Sequence, residues 1–221
     1  MKTIIILSGG MDSTTLLYKL LKEGKEVEAL SFDYGQRHKK ELDFAKITCE
    51  KLGVPHKIIN LSFLKSLLSN SALTGDVEIP EGHYEDESMK LTVVPNRNAI
   101  MLDIAVGYAV NIGADEVASG VHAGDHVIYP DCRPEFVFAI RKVAEIANFK
   151  PIKIYTPFLF IDKGDIAILG KELGVDYLNT WTCYKGQAVP CGKCGACQER
   201  AEAFSKAEIK DPITIWHHIK L

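Results

Sequence analysis

The sequence is poor in the features that mark membrane, secreted and nucleic-acid-binding chains. No apolar run is long enough to span a membrane, which takes about 20 residues. The amino-terminal run Met1-Lys2-Thr3-Ile4-Ile5-Ile6-Leu7 meets Ser8-Gly9-Gly10 at once. That run is also too short for a secretory signal, so it reads as a buried strand of a cytoplasmic protein without membrane contact. Blocks of Lys or Arg interleaved with aromatics are missing, and the net charge is −3. The basic footprint of a nucleic-acid binder is therefore absent, and no nucleic-acid partner is expected. There is no internal repeat, no low-complexity tract, and no G-x-x-x-x-G-K-[ST] string of the kind that presents a γ-phosphate for transfer. Cysteine is scarce outside one stretch: Cys49 and Cys132 stand alone, whereas Cys183, Cys191, Cys194 and Cys197 crowd into fifteen residues. In a chain without a secretory signal, such crowding reads as metal ligation rather than disulfide pairing.

What is present suits an α/β enzyme. At 221 residues, 47% hydrophobic and 25% charged, the chain can bury a sizeable core without disulfide staples. Strand-like runs over 2–7, 27–33, 56–61, 116–121 and 152–156 alternate with helical patterns over 12–23, 38–52 and 99–111, a helix opened by Pro134, and one begun by Asp162 and Asp165 that ends near Gly174. That alternation predicts βαβ units in a doubly wound, mostly parallel sheet. Asp12 can cap the first helix and Gly24 can end it in a left-handed conformation; Gly53 stops the second, where Cys49 lies on the apolar stripe and belongs to the core. Three stretches lack periodicity, over 70–96, 122–133 and 181–195, and at least two of them are expected to border the active site.

Four motifs carry chemistry. In Leu7-Ser8-Gly9-Gly10-Met11-Asp12-Ser13-Thr14, glycines between a strand and a helix bring backbone N–H groups against phosphate oxygens, and the helix N-terminus adds partial positive charge. The string resembles the PP-loop of the adenine-nucleotide α-hydrolase-like proteins, which cleave ATP between the α- and β-phosphates. Asp12 beside a triphosphate would repel it without a cation, so Asp12 is expected to hold Mg²⁺. Cys183, Cys191, Cys194 and Cys197 form a closed four-sulfur set that suits one structural Zn²⁺ per chain, an iron–sulfur cluster being the alternative. The segment over 181–197 has few apolar residues and little core of its own. Arg97, in Val94-Pro95-Asn96-Arg97-Asn98, can clamp a phosphate or carboxylate bidentately. Lastly, the loop over 119–133 packs His122, Asp125, His126, Tyr129, Asp131, Cys132 and Arg133 together, a polar mixture expected of a small-molecule pocket.

Together with Ser31-Phe32-Asp33-Tyr34-Gly35-Gln36-Arg37-His38, Tyr129-Pro130-Asp131-Cys132-Arg133 and Thr182-Cys183-Tyr184, these pieces resemble, over nearly the whole chain, the 7-cyano-7-deazaguanine synthase (QueC) family. The resemblance implies a PP-loop domain over 1–180 with a zinc-binding segment over 181–221 packed on it. It implies a homodimeric ligase that uses ATP, ammonia and 7-carboxy-7-deazaguanine. Catalytic roles fall by resemblance on Asp12, Arg97, Asp125 and Asp131. ATP contacts fall on Leu7, Ser8, Gly9, Gly10, Met11, Asp12, Ser13, Thr14, Phe32 and Gly120. Substrate contacts fall on Arg97, Asn98, His122, Tyr129, Asp131 and Arg133, and the zinc ligands are the four clustered cysteines. His122 and His126 are candidate bases for deprotonating ammonium. The chain departs from the family where many members carry Cys-Glu-Thr-Asp: it has His122-Ala123-Gly124-Asp125, and Asn96 stands where Gly is frequent. A PP-loop tRNA thiolase, or a relative acting on another carboxylate, remains the alternative reading.

Overall fold

A computed structural model describes residues 1–213; the last residues of the expected zinc segment, 214–221, lie outside the described residues. Five strands, β1 (Lys2–Ile6), β2 (Glu26–Asp33), β3 (His56–Asn60), β4 (Glu116–Ala118) and β5 (Lys153–Tyr155), form one parallel sheet in the order β3-β2-β1-β4-β5. The helices are α1 (Met11–Lys22), α2 (Lys40–Leu52), the single turn α3 (Leu64–Leu67), α4 (Arg97–Asn111), α5 (Pro134–Ile146), α6 (Lys163–Leu173) and α7 (Gly195–Lys206). Side chains alternate across a strand, so β1 feeds two cores. Ile4 joins Leu102, Ala105, Val106 and Ile140 of α4 and α5 on one face. Ile5 and Leu7 join Leu16, Leu17, Leu20, Ala45, Cys49 and Ile166 of α1, α2 and α6 on the other. The sheet is thus doubly wound, and strand order reverses between β1 and β4. Ligands in such sheets bind beyond the carboxyl ends at that reversal.

Local signals set most boundaries. Gly24, Gly53 and Gly174 follow α1, α2 and α6 with φ of 70°, 68° and 69°. Pro134 opens α5. Asp162 caps α6 in a capping box with Asp165. Asp12 does not cap α1: the helix already starts at Met11, with Gly10 as its extended N-cap, and Asp12 sits in the first turn, where its charge suits the helix dipole. Residue 96 precedes α4 at φ 58°, and Asn tolerates this left-handed conformation better than most side chains. α4 begins two residues before the expected 99. β4 ends at Ala118; Ser119, whose N–H still donates to the Tyr155 carbonyl of β5 at 3.0 Å, and Gly120 and Val121 beyond it line the cleft at the reversal point. α7 has no counterpart in the sequence reading. Its buried side is made of Ala196, Cys197, Ala203 and Phe204 together with Glu199 and Arg200, small and charged residues that blur a helical apolar stripe.

The segment that follows Thr180 has more core than its composition predicts. Trp181, Cys183, Cys194, Ala196 and Cys197 pack with Ala72 and Ile79 from the long loop after α3, and Phe44 of α2 stacks on Trp181 at 5.9 Å. Apolar residues distant in sequence complete it. Within α6, Gly170 lets Tyr177 approach, because a Cβ there would lie 1.8 Å from the Tyr177 hydroxyl, which is bonded to Thr15 Oγ1 of α1 at 3.0 Å. Gly170→Ala is therefore expected to lower stability by about 2 kcal/mol, the ordinary cost of overpacking. Urea unfolding checks this; an unchanged midpoint would mean that Tyr177 moves freely away.

Candidate active site

A cleft of about 240 Å³ opens at the reversal point between β1 and β4. One wall is the turn between β1 and α1. Gly9 takes φ +84°, and a Cβ there would lie 2.0 Å from the Glu41 carbonyl oxygen, so the turn packs directly on the start of α2. Ser8 N–H donates to Ser13 Oγ at 3.2 Å, Gly10 N–H donates to Ser8 Oγ at 3.2 Å, and the two hydroxyls meet at 3.0 Å. Trp181 N–H donates to the Gly9 carbonyl at 2.9 Å, which ties the cysteine segment to this turn. Leu7, Ser8, Gly10, Met11, Asp12, Ser13, Phe32 and Gly120 line the cleft, whereas Gly9 and Thr14 do not. Thr14 is wholly buried, and its hydroxyl has no partner. Glycine at 120 leaves room for close approach, since a Cβ there would lie 3.3 Å from Ser13 N.

Arg97, Asn98, His122, Asp125 and Tyr129 form the facing wall. Asp131 and Arg133 stay outside it. Asp131 accepts the Asn98 N–H at 2.9 Å and so satisfies a free donor in the first turn of α4. Arg133 spends its guanidinium on the carbonyls of His126 at 2.8 Å and Val127 at 3.3 Å. A hydroxyl chain runs Thr92–Tyr129–Tyr184, at 2.7 and 3.1 Å, and joins the three aperiodic loops beside the cleft. All three loops supply lining residues: Tyr84 and Met89; His122, Gly124, Asp125, Ile128, Tyr129 and Cys132; and Trp181, Thr182 and Tyr184.

Sequence reasoning missed Lys163, Glu199 and Glu41, all of which line the cleft. Lys163 pairs with Glu199 and lies 3.4 Å from Asp12 Oδ2. Burial opposes its charge, yet the Asp12 and Glu199 carboxylates override this and hold the ammonium above its ordinary range. The available signal was a lysine at the first position of a capped helix, opposed to the helix dipole. Glu41 has no ion pair among the described residues, and burial pushes its carboxyl up to about 7 against the weaker pull of Arg97 and Lys163.

His122, Asp125 and Glu199 offer polar atoms within 4.8 Å of one another, as a metal site would. The imidazole speaks against ligation. His122 Nδ1 accepts the Gly124 N–H at 3.1 Å, so the ring proton is on Nε2, which faces Asp125 at 3.5 Å and Asp12 at 3.8 Å. A ligating histidine instead donates through its second nitrogen. The same tautomer leaves His122 no free nitrogen for a base, and His126 does not line the cleft. Neither histidine is placed to deprotonate ammonium.

The four clustered cysteines do form a metal-binding set. Cys194 and Cys197 sulfurs are 3.5 Å apart and Cys191 and Cys197 sulfurs 4.0 Å, far beyond a disulfide bond and near the roughly 3.8 Å edge of a tetrahedral zinc–thiolate shell. Backbone N–H groups of Cys191 and Cys194 point at the Cys183 and Cys191 sulfurs, at 3.3 and 3.4 Å, as thiolates require. Hydrogen bonds from Cys194 and Cys197 hold the Cys183 thiol far below its ordinary range, and the donating Cys194 is pushed up to about 12. Four thiols cannot ionise together without a cation to neutralise them.

The parallel sheet, the glycine turn at its reversal point and the cysteine set define a PP-loop nucleotide-binding protein. Residues 2–208 match the family described as queuosine biosynthesis protein QueC, and the chain belongs to that family. It is 58% identical over 212 residues to 7-cyano-7-deazaguanine synthase 1 of Colwellia psychrerythraea, covering 96% of this chain and 97% of that one. It is 55% identical over 213 residues to 7-cyano-7-deazaguanine synthase of Methanoregula boonei, covering 96% and 98%. Among solved structures, a 4-thiouridine synthetase in complex with RNA and ATP aligns at TM-score 0.54 and 19% identity, over 94% of this chain and 50% of that chain, a likeness of fold. No helix among the described residues is long and apolar enough to cross a membrane.

Two outcomes are expected. Glu41, raised from 4.5 to about 7, binds more protons when folded than when unfolded between these values, so its contribution to stability declines as pH rises from 4.5 to 7. Glu41→Gln should therefore raise the denaturant midpoint at pH 8 and change it little at pH 4; no gain at pH 8 would show a satisfied carboxylate. Cys194→Ser should lower bound metal, measured by elemental analysis, and open 181–199 to limited proteolysis while the sheet persists. Intact metal content in that variant would remove Cys194 from the shell.

Proposed function

We propose that this chain is an ATP-dependent carbon–nitrogen ligase that converts 7-carboxy-7-deazaguanine and ammonia to 7-cyano-7-deazaguanine through two adenylations. The observation that carries the reading is identity of 58% along 97% of a synthase. It agrees with a single cleft in which a phosphate-cradling turn faces Arg97 and Lys163. The tRNA-thiolase alternative needs a sulfur-relay cysteine or an iron–sulfur cluster, and a basic face; the net charge of −3 supplies no such face. Cys132 is buried, its thiol is pushed up by that burial, and its sulfur receives Asn98 Nδ2 at 3.2 Å. It behaves as a packed core residue.

The chemistry follows from the leaving group. A carboxylate repels nucleophiles and would expel oxide, so its oxygen first attacks the α-phosphorus of ATP and pyrophosphate departs. Ammonia adds to the acyl carbon, AMP leaves with that oxygen, and loss of a proton gives the amide. The amide oxygen attacks a second ATP; expulsion of AMP and loss of the two N–H protons leave the nitrile. One site can serve both rounds. In our reading the N–H groups of the glycine turn, with Ser8 and Ser13, hold the phosphates, while Lys163 and Arg97 meet the charge that builds on the α-phosphate. Asp12 Oδ1 is buried without a partner, which suits a carboxylate waiting for a cation. Mg²⁺ bound there would screen the phosphates. Asp125 belongs to the same wall, whereas Asp131 and Arg133 act by holding α4 and the loop after β4 in place. Zn²⁺ in the cysteine shell is structural, ordering the segment that supplies Trp181, Thr182 and Tyr184 to the cleft, and the working protein is a cytoplasmic homodimer.

AMP and pyrophosphate, with two ATP consumed per nitrile, are the expected products by mass spectrometry; ADP as main product would overturn the reading. Asp12→Asn is expected to lower kcat/KM about a hundredfold or more, in line with about 3 kcal/mol for a charge-stabilising contact. Unchanged turnover would release Asp12 from the mechanism.

A further inference from the structure

Beside the main cleft lies a recess of about 50 Å³ lined by Tyr34, Gln36, His38, Glu41, Arg97 and Tyr184, among others. No residue of 8–14 reaches it, so it lies beyond the phosphate-binding turn. Five residues line both spaces: Tyr34, Gln36, Glu41, Arg97 and Tyr184. Two of them present aromatic rings. The Gln36 amide is already spent, accepting the Tyr34 N–H at 2.9 Å and donating to the Phe32 carbonyl at 3.3 Å. Glu41 is then the one anionic acceptor at this junction, and no hydrogen bond or ion pair within the described residues engages its carboxylate. Most carboxylates of this protein behave otherwise: Glu28, Asp33, Glu116, Asp176 and Glu199 each hold a lysine.

We propose that Glu41 reads the N1–H and 2-amino edge of the substrate's 2-amino-4-oxopyrimidine ring, an inference that rests on the ligase reading above. That edge offers two nearly parallel N–H donors, which match the two oxygens of one carboxylate bidentately. Next to that N–H the same molecule carries the exocyclic oxo group and, beside it, the reacting carboxylate, acceptors that suit the Arg97 guanidinium on the neighbouring wall. Donors toward Glu41 and acceptors toward Arg97 orient the ring in one sense only. A flat bicycle also suits a wall with Tyr34 and Tyr184 rings. Without a ligand, the partly buried carboxylate lacks the hydrogen bonds it would have in water; donors on the substrate supply them. A site built this way discriminates strongly against an analogue that lacks the donor, because the acceptor is then left unmet.

The test compares 7-carboxy-7-deazaguanine with its analogue lacking the 2-amino group, in wild type, Glu41→Gln and Glu41→Asp, by carboxylate-dependent ATP–pyrophosphate exchange. Wild type is expected to prefer the full substrate by about a hundredfold or more in kcat/KM. Glu41→Gln should shrink that preference to less than about fivefold and leave the KM for ATP within about threefold, while Glu41→Asp, which keeps the charge, retains a preference above tenfold. Thermal unfolding and ATP binding verify that each variant is folded. An undiminished preference in Glu41→Gln overturns the inference, as does a selective rise in the KM for ATP, which would assign Glu41 to the ribose hydroxyls. If wild type shows no exchange with the full substrate, the ligase reading itself falls, and this inference with it.

Discussion

The absence of a side chain at Gly9 is the constraint on which the rest of the site depends. Its α-carbon rests against the Glu41 carbonyl so closely that one added carbon would be 2.0 Å away. Its own carbonyl receives the Trp181 N–H. Three parts of the chain therefore meet at one backbone turn: the end of β1, the first turn of α2 and the start of the cysteine segment. The N–H groups of the turn, proposed above to hold the phosphates, keep their direction only while this junction holds. Order in the cysteine segment, whose Trp181 donates to the Gly9 carbonyl, is thereby tied to the geometry of the glycine turn. The contact also places Glu41, whose backbone supports the turn and whose side chain looks into the cleft.

Charge at the cleft floor follows from the same closeness. Asp12, Asp125 and Glu199 converge with Lys163 as the cation in direct contact with two of them. Buried like charges are costly unless paired, and here the pairing is incomplete, with Asp12 Oδ1 unpartnered. His122 adds a donor, since its Nδ1 is engaged by Gly124 and its Nε2 faces the carboxylates. In the mechanism proposed above, this floor is preorganised to receive cationic screening and a polyanion together. This is the electrostatic condition under which adenylation gains most from fixed groups.

The sheet, its two helical layers and most helix ends were legible because each depends on local pattern: the short continuous apolar run of β1, the capping box of Asp162 and Asp165, and glycine after α1, α2 and α6. The cysteine set was legible from spacing, and the glycine turn from its place between strand and helix. Lys163, Glu199 and Glu41 were not. Each lies on a helix and reads alone as an ordinary solvated charge; only the packing of α6 on α7 and of α2 on Gly9 turns them toward the cleft. Helix α7 itself was hidden because its buried face carries Glu199 and Arg200, the latter bonded to Thr180, Tyr177 and Asp211. Conversely, Asp131 and Arg133 sit in a motif-like string yet serve the backbone around them. Proximity in sequence to a functional loop does not decide on which side of the loop a side chain lies.

The departure at His122-Ala123-Gly124-Asp125 is intelligible as a coupled change. A Cβ at residue 124 would lie 2.8 Å from Glu199 Oε1 and 3.1 Å from the His122 ring. A side chain there would force Glu199 Oε1 or the His122 ring out of these positions. Glycine at 124 thus permits both the close packing of α7 on the loop and the Gly124 N–H bond that sets the His122 tautomer. Enlarging residue 124 alone would therefore displace Glu199 or His122 from the floor of the cleft. Asp125, next in the chain, lines the cleft and faces His122 Nε2 at 3.5 Å, so the room left by glycine at 124 bears directly on how the carboxylates are placed.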